Sequence, residues 1–222
     1  MNEEIIAEAI HNVLIRMEEA AKRSDRKISE ITLIAASKTV GFPAIQMAAS
    51  AGVAVFGENR VQEAMDKFPP LSKDRSYELH LIGSLQMNKV KKAVGFFDLI
   101  HSIDSIPLAE KVDQEAERQS RTQPVLVQVN IGDEASKGGI AIADLPYLID
   151  AVRKRDHLKL LGLMAIPPQS SHPRPYFAKL RALGTSFGLT RLSMGMSSDF
   201  EAAIEEGATW VRVGTAIFGT RV

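Results

Sequence analysis

The 222-residue chain contains no cysteine. That excludes a disulfide framework, a thiolate metal cluster and a cysteine nucleophile. It also suits a reducing cytoplasm. There is no excess of either charge: 27 basic residues face 27 acidic ones. Nucleic-acid binding draws on a basic face that displaces counterions, and a chain of pI about 7.0 offers none overall. No apolar run approaches the roughly 18–20 residues that cross a bilayer. The opening MNEEIIAEAI carries acids where a signal peptide carries positive charge. The chain is therefore expected to be cytoplasmic and complete, with neither nucleic acid nor membrane as partner. Five histidines (11, 80, 101, 157 and 172) show no metal-ligand spacing, and His80 reads as a hydrogen-bonded interior residue.

What is present is an ordinary globular composition, 45% hydrophobic and 24% charged. A chain of this length buries enough surface to need no covalent staples. Ile6, Ile10, Val13, Met17 and Ala20/Ala21 recur at helical spacing, which predicts an amphipathic helix over 3–21. Short β-prone runs then alternate with helical stretches. The runs cover 31–36, 53–56, 78–82, 98–101, 124–131, 159–165, 191–194 and 210–213. Helices are expected near 43–51, 60–68, 86–94, 106–119, 142–154, 174–187 and 199–206. Pro43 sits in a first turn and Gly52 follows a last one. Ser105 is placed as an N-cap, and Ser198 with Glu201 has capping-box spacing.

Repeated strand–helix alternation means parallel strands with helical crossovers. Eight units in about 190 residues predict a compact α/β fold, a single (β/α)8 TIM barrel with an extra N-terminal helix. An open doubly wound sheet shares the same alternation. No linker divides the chain, so one domain is expected over 1–222, with the helix in 1–25 and the barrel in 31–222.

Barrel chemistry collects where strands end. After the first run stand Ser37-Lys38-Thr39, and after the second Gly57-Glu58-Asn59-Arg60. The seventh leads to Gly195-Met196-Ser197, and the eighth contains Arg212 and ends at Gly214-Thr215. Side-chain parity puts Val211 and Val213 against helices and turns Arg212 inward. It likewise turns Gln128, Asn130, His80, Ile82 and Ser84 inward, with Val125, Val127 and Val129 outside. Lys38 alone among the lysines directly closes a predicted strand. It reads either as a strand-end amine reaching water or as a desolvated amine able to form an imine with a carbonyl. Arg212 reads either as a buried partner of an interior carboxylate or as a ligand contact. Gly214-Thr215 opens a short helix in the position where barrels often hold phosphate, and Ser197 adds a donor from the neighbouring loop. The loop 133–139 and the lysines 89, 91 and 92 read as solvated surface.

AASKT (35–39), FGENRVQE (56–63), LHLIGSLQMNK (79–89), VNIGDEASKGGI (129–140), GLMAIP (162–167) and the long segment 192–221 together resemble the YggS/PROSC-type pyridoxal 5′-phosphate (PLP) homeostasis proteins. The resemblance implies a barrel of the alanine-racemase N-terminal-domain type, with PLP held as an imine on Lys38. It implies that Asn59 lines the cofactor pocket, that Ser197, Gly214 and Thr215 cradle the phosphate, and that Arg212 faces the pyridine nitrogen. An arginine there keeps that nitrogen unprotonated and mutes the electron sink used in carbanion chemistry. Lys137 matches a loop lysine of the family. Two departures stand out: Ser84 replaces a histidine found in many relatives, and the chain stops at Thr220-Arg221-Val222 without a longer basic tail.

The function implied is PLP homeostasis: holding the cofactor on Lys38 and buffering it or delivering it to apo PLP-dependent enzymes, as a non-catalytic monomer. The alternative is a small PLP-dependent enzyme such as an amino-acid racemase, with Lys38 as one base. Such racemases need a second acid–base group, and none of Tyr77, Tyr147 and Tyr176 falls at a predicted strand C-terminus.

Overall fold

A computed structural model describes residues 2–38, 40–68, 76–134, 137–168 and 172–219. Thr39, Ala135, Ser136 and the terminal Thr220-Arg221-Val222 lie outside the described residues. Eight parallel strands close a barrel in sequence order: β1 (Thr32–Ala36), β2 (Val55–Glu58), β3 (Glu78–Leu81), β4 (Leu99–Ile103), β5 (Gln123–Val129), β6 (Leu158–Ala165), β7 (Arg191–Met196) and β8 (Trp210–Val213). Closure is made by β1 against β8, where Ile34 pairs with Arg212 and Ala35 with Val213. That pairing rules out the open doubly wound sheet, whose outermost strands stay unpaired along one edge.

Helices α2 (Phe42–Ser50), α3 (Val61–Lys67), α4 (Val90–Ala93), α5 (Ile106–Arg118), α6 (Leu145–Arg153), α7 (Arg174–Ser186) and α8 (Phe200–Glu205) fill the crossovers. A short α9 (Thr215–Phe218) follows β8. Pro43, Pro107 and Pro146 stand in first turns, where a missing N–H costs nothing. The expected caps are not the ones formed. Ser105 occupies its N-cap position without a side-chain bond, and α8 starts from Asp199 rather than Ser198. Asp199 Oδ1 instead accepts the Met196 N–H at 2.6 Å, and Glu201 is drawn to Arg16. The long-range ion pair takes the carboxylate that a capping box would use.

The alternation of the strands sorts two apolar layers. Ile34, Val55, Leu99, Leu126, Met164 and Trp210 fill the barrel. Val125, Val127, Val129, Val211 and Val213 face the helices, as their parity predicts. Helix α1 (Glu3–Arg23) buries Ile6, Ile10, Val13, Met17, Ala20 and Ala21, lying across α2, α8 and α9. Its end is pinned by Arg26, whose guanidinium donates to the Ile204 and Ala208 carbonyls at 2.9 and 2.8 Å. The extra helix thus braces the elements that carry the strand-seven and strand-eight loops. Among the described residues no helix is long and apolar enough to cross a membrane.

Candidate functional site

At the C-terminal mouth a cavity of about 340 Å³ gathers Lys38, Asn59, Ser197, Arg212, Gly214 and Thr215, with Ile82 and Ile166 as its apolar wall. Every residue singled out from the sequence for the cofactor lines this one hollow. Its size falls in the range of small-molecule sites. An adjoining hollow of about 520 Å³ shares Asn59, Ile82 and Ile166 and adds Ser84, Lys89 and Gln128. A further hollow of about 600 Å³ opens at the opposite mouth, among strand N-termini. In barrels of this kind chemistry collects at the C-terminal end.

Lys38 stands at the exit of β1 and is exposed. The desolvated amine of one sequence reading is therefore not what the chain presents: the backbone leaves the barrel at Ser37, and the amine stays in reach of water. What is buried is the residue behind it. Ser37 N–H donates to the Gly57 carbonyl at 3.0 Å, and its hydroxyl donates to Glu58 Oε1 at 2.6 Å. Lys67 Nζ, from α3, donates to the same oxygen at 2.7 Å and to the Ser37 carbonyl at 2.6 Å. Glu58 is fully buried on the outer face of β2. A buried carboxylate needs such partners, because desolvation of a lone charge costs several kcal/mol.

The loops after β7 and β8 are joined by a bond in which Gly214 N–H donates to Ser197 Oγ at 3.1 Å. A Cβ on Gly214 would stand 3.0 Å from the Ala36 carbonyl, so the wall of the mouth packs tightly against β1 here. Gly83 serves the other side, since a Cβ there would reach within 2.3 Å of the Asn59 carbonyl. Its absence lets the loops after β2 and β3 meet beside Asn59.

Arg212 points inward, as parity predicts, and is 4% exposed. Its guanidinium donates to Ser193 Oγ at 2.6 Å and to the Ala165 carbonyl at 2.9 Å. Burial pushes it down to about 10, with the Asp199 charge acting in the other direction, so it remains a cation at neutral pH. Its buried partners are a hydroxyl and a carbonyl rather than the interior carboxylate of the alternative reading.

Other sequence assignments fare unevenly. Gln128 lines the adjoining hollow, but Asn130 does not. Its amide instead clasps the Glu134 backbone, with bonds of 2.9 and 3.2 Å. Lys137 is tied to Glu134 and to the Pro167 carbonyl. Lys91 and Lys92 are exposed, as a solvated helix face requires. None of Tyr77, Tyr147 and Tyr176 lines either hollow at this mouth. Sequence reasoning missed Glu58 and Lys67. The signal was available: the parity that turns Gly57 inward turns Glu58 toward the helices, where a carboxylate must find a cation.

A closed parallel barrel with a lysine leaving strand one and an arginine inside strand eight defines the class. The chain belongs to the alanine racemase N-terminal-domain family, whose sequence model matches residues 14–222. Within it, the chain is 44% identical to the pyridoxal phosphate homeostasis protein of Aquifex aeolicus, over 96% of this chain and 97% of that one. It is 43% identical to the protein of the same name from Pseudomonas aeruginosa, over 97% and 96%. Among solved structures, PipY of Synechococcus elongatus with PLP bound superposes with a TM-score of 0.84 at 38% identity, covering 96% of this chain and all of PipY.

Proposed function

We propose that this chain is a PLP-binding protein of cofactor homeostasis. It holds PLP reversibly as an imine on Lys38, buffers the free aldehyde, and delivers it to apo PLP-dependent enzymes. The observation that carries the reading is the convergence of Lys38, Arg212 and the Ser197–Gly214–Thr215 loops on a single cavity, in a chain so similar over its length to proteins named for that role.

The residues fit the cofactor. An exposed amine at the cavity can meet an aldehyde, forming a C=N bond with loss of water. Arg212, a buried cation with no acceptor, can donate to the pyridine nitrogen and cannot take up a proton from it. Ser197 accepts from Gly214, which leaves its own hydroxyl proton for a phosphate oxygen, and Thr215 supplies a second hydroxyl. Asn59 closes the pocket from the β2 side.

The same geometry supports a holder over a catalyst. Racemisation takes a base on each face of the ring, and no tyrosine lines either hollow at this mouth among the described residues. In this reading the chain works as one cytoplasmic domain over residues 1–222, as a monomer, and Lys137 braces its loop.

The deciding experiment is a visible spectrum of the purified protein with added PLP, followed by borohydride trapping and peptide mapping. A cofactor band that vanishes in Lys38→Ala, with the pyridoxyl tag on Lys38, is expected. A tag found only elsewhere overturns the covalent assignment. Sustained stereoinversion of an amino acid, lost in Lys38→Ala, overturns the non-catalytic reading.

A further inference from the structure

The barrel axis carries a polar chain that the cofactor reading leaves unused. Arg212 Nη1 donates to Ser193 Oγ at 2.6 Å. Ser193 Oγ lies 3.0 Å from His101 Nδ1. His101 Nε2 lies 3.1 Å from His80 Nδ1, and His80 Nε2 lies 3.0 Å from Glu78 Oε2. The arginine, the serine and both histidines are buried. Glu78 is exposed at the start of β3 and lines the hollow of the opposite mouth together with His80. Trp210 packs on both imidazoles, with ring centroids 6.0 and 5.7 Å away. The contacts therefore run without a break from one mouth of the barrel to the other.

The direction of the chain follows from what each group can do. A guanidinium only donates, and a carboxylate only accepts. Burial first, and then the neighbouring His80 and Arg212, hold His101 well below the usual histidine range, so it is neutral with one donor and one acceptor nitrogen. With the proton on Nε2, His101 donates to His80 Nδ1, His80 Nε2–H donates to Glu78, and the Ser193 hydroxyl donates into His101 Nδ1. Each contact then has one donor and one acceptor. With the proton on Nδ1, His101 donates to Ser193 and must accept from His80 Nδ1–H, and Glu78 is then served only by an imidazole protonated on both nitrogens. The first arrangement satisfies every contact without placing a second buried charge on the barrel axis.

We propose that Ser193 and His101 are positioning residues for Arg212. A directed relay, Arg212 to Ser193 to His101 to His80 to Glu78, fixes the guanidinium at the cofactor mouth and sets how strongly it donates to the ring held there. A hydroxyl that donates onward is a better acceptor, so His101 strengthens the Ser193 grip on Arg212. Without the hydroxyl, one arm of a buried guanidinium loses its partner and only the Ala165 carbonyl still holds the group. The role toward the ring rests on the PLP reading; the relay is a property of the chain alone.

The test has two arms. In protein labelled with 15N-histidine and 15N-arginine, without cofactor, the His101 proton is expected on Nε2, with His80 Nδ1 as its acceptor. A slowly exchanging Arg212 Nη–H signal should be lost in Ser193→Ala and restored in Ser193→Thr. A proton on His101 Nδ1 overturns the directed relay. In PLP-loaded protein, Ser193→Ala is expected to displace the visible absorption maximum, and Ser193→Thr to keep that of the parent. An unmoved maximum in Ser193→Ala overturns the positioning role. A parent protein that takes up no PLP defeats the cofactor reading, and the labelled protein then decides the relay by itself.

Discussion

Lys67 Nζ and Glu58 Oε1 meet at 2.7 Å behind the strand-one exit, and both hold Ser37, the residue that precedes Lys38. Lys38 is thus exposed on a backbone that is itself clamped. Removing one member leaves the other charge without its partner, which costs about 3–5 kcal/mol in buried pairs. Lys67→Met should lower the urea midpoint accordingly and speed PLP loss. The double variant Lys67→Met/Glu58→Met should recover much of the stability, because no lone charge remains. A Lys67→Met protein as stable as the parent would show that the pair contributes nothing.

The bond between Ser197 Oγ and Gly214 N joins the strand-seven and strand-eight loops. Ser197→Ala leaves a half-buried N–H unpaired and removes a hydroxyl from the cavity. A net loss of about 1 kcal/mol of stability is expected. PLP affinity should fall by about tenfold, the size of one charge-assisted bond. Titration with PLP and with pyridoxal separates the effects. The variant should bind pyridoxal as the parent does if its hydroxyl serves the phosphate.

Much of this arrangement was legible in the sequence, and the reason is physical. All eight predicted runs became strands because a barrel needs period-two faces between helices, and the apolar pattern carries that period directly. Arg212 was placed inside by the same parity. Lys38, Ser197, Gly214 and Thr215 were placed at one mouth of the barrel because strand ends and loop starts are punctuated. Partnerships between distant residues were not legible. Glu201 has the right spacing for a capping box, yet it pairs with Arg16, 185 positions away. Asn130 fits an inward position but turns to its own loop, where two backbone groups outbid the cavity. The Glu58–Lys67 clamp and the histidine pair depend on three-dimensional distances that no local pattern encodes.

On the proposed function, Lys38 forms the covalent link and Arg212 a ring contact, so their variants should separate. Lys38→Ala removes the covalent link and should abolish the visible band and retention through dialysis. Arg212→Ala removes a ring contact and leaves the link, so retention should fall less while the absorption maximum moves. Equal loss from both variants would place the guanidinium in cofactor retention rather than in ring contact. Because Arg212 is buried, its variant should also be compared by thermal midpoint before cofactor loss is interpreted.

The buried His101 gives stability a defined pH dependence. Its folded-state value lies well below that of a free imidazole, with burial as the first cause. In the unfolded chain the same ring takes up a proton as pH falls through about 6.5. Below that point the unfolded state binds the extra proton and the folded state does not, so acidification favours unfolding. The contribution is fully present above about 6.5 and is lost as pH falls toward the folded value. Its slope reaches at most about 1.4 kcal/mol per pH unit. His101→Phe keeps a ring among Trp210, His80 and Ser193 but cannot bind a proton. Urea denaturation at pH 7.5 and at pH 5.5 should show the parent losing more stability than the variant, by about 1 kcal/mol, since every other titrating group is common to both. A parent and variant that fall in parallel would mean that His101 takes up its proton equally well in the folded barrel, and that the interior is not the dry polar chain described above.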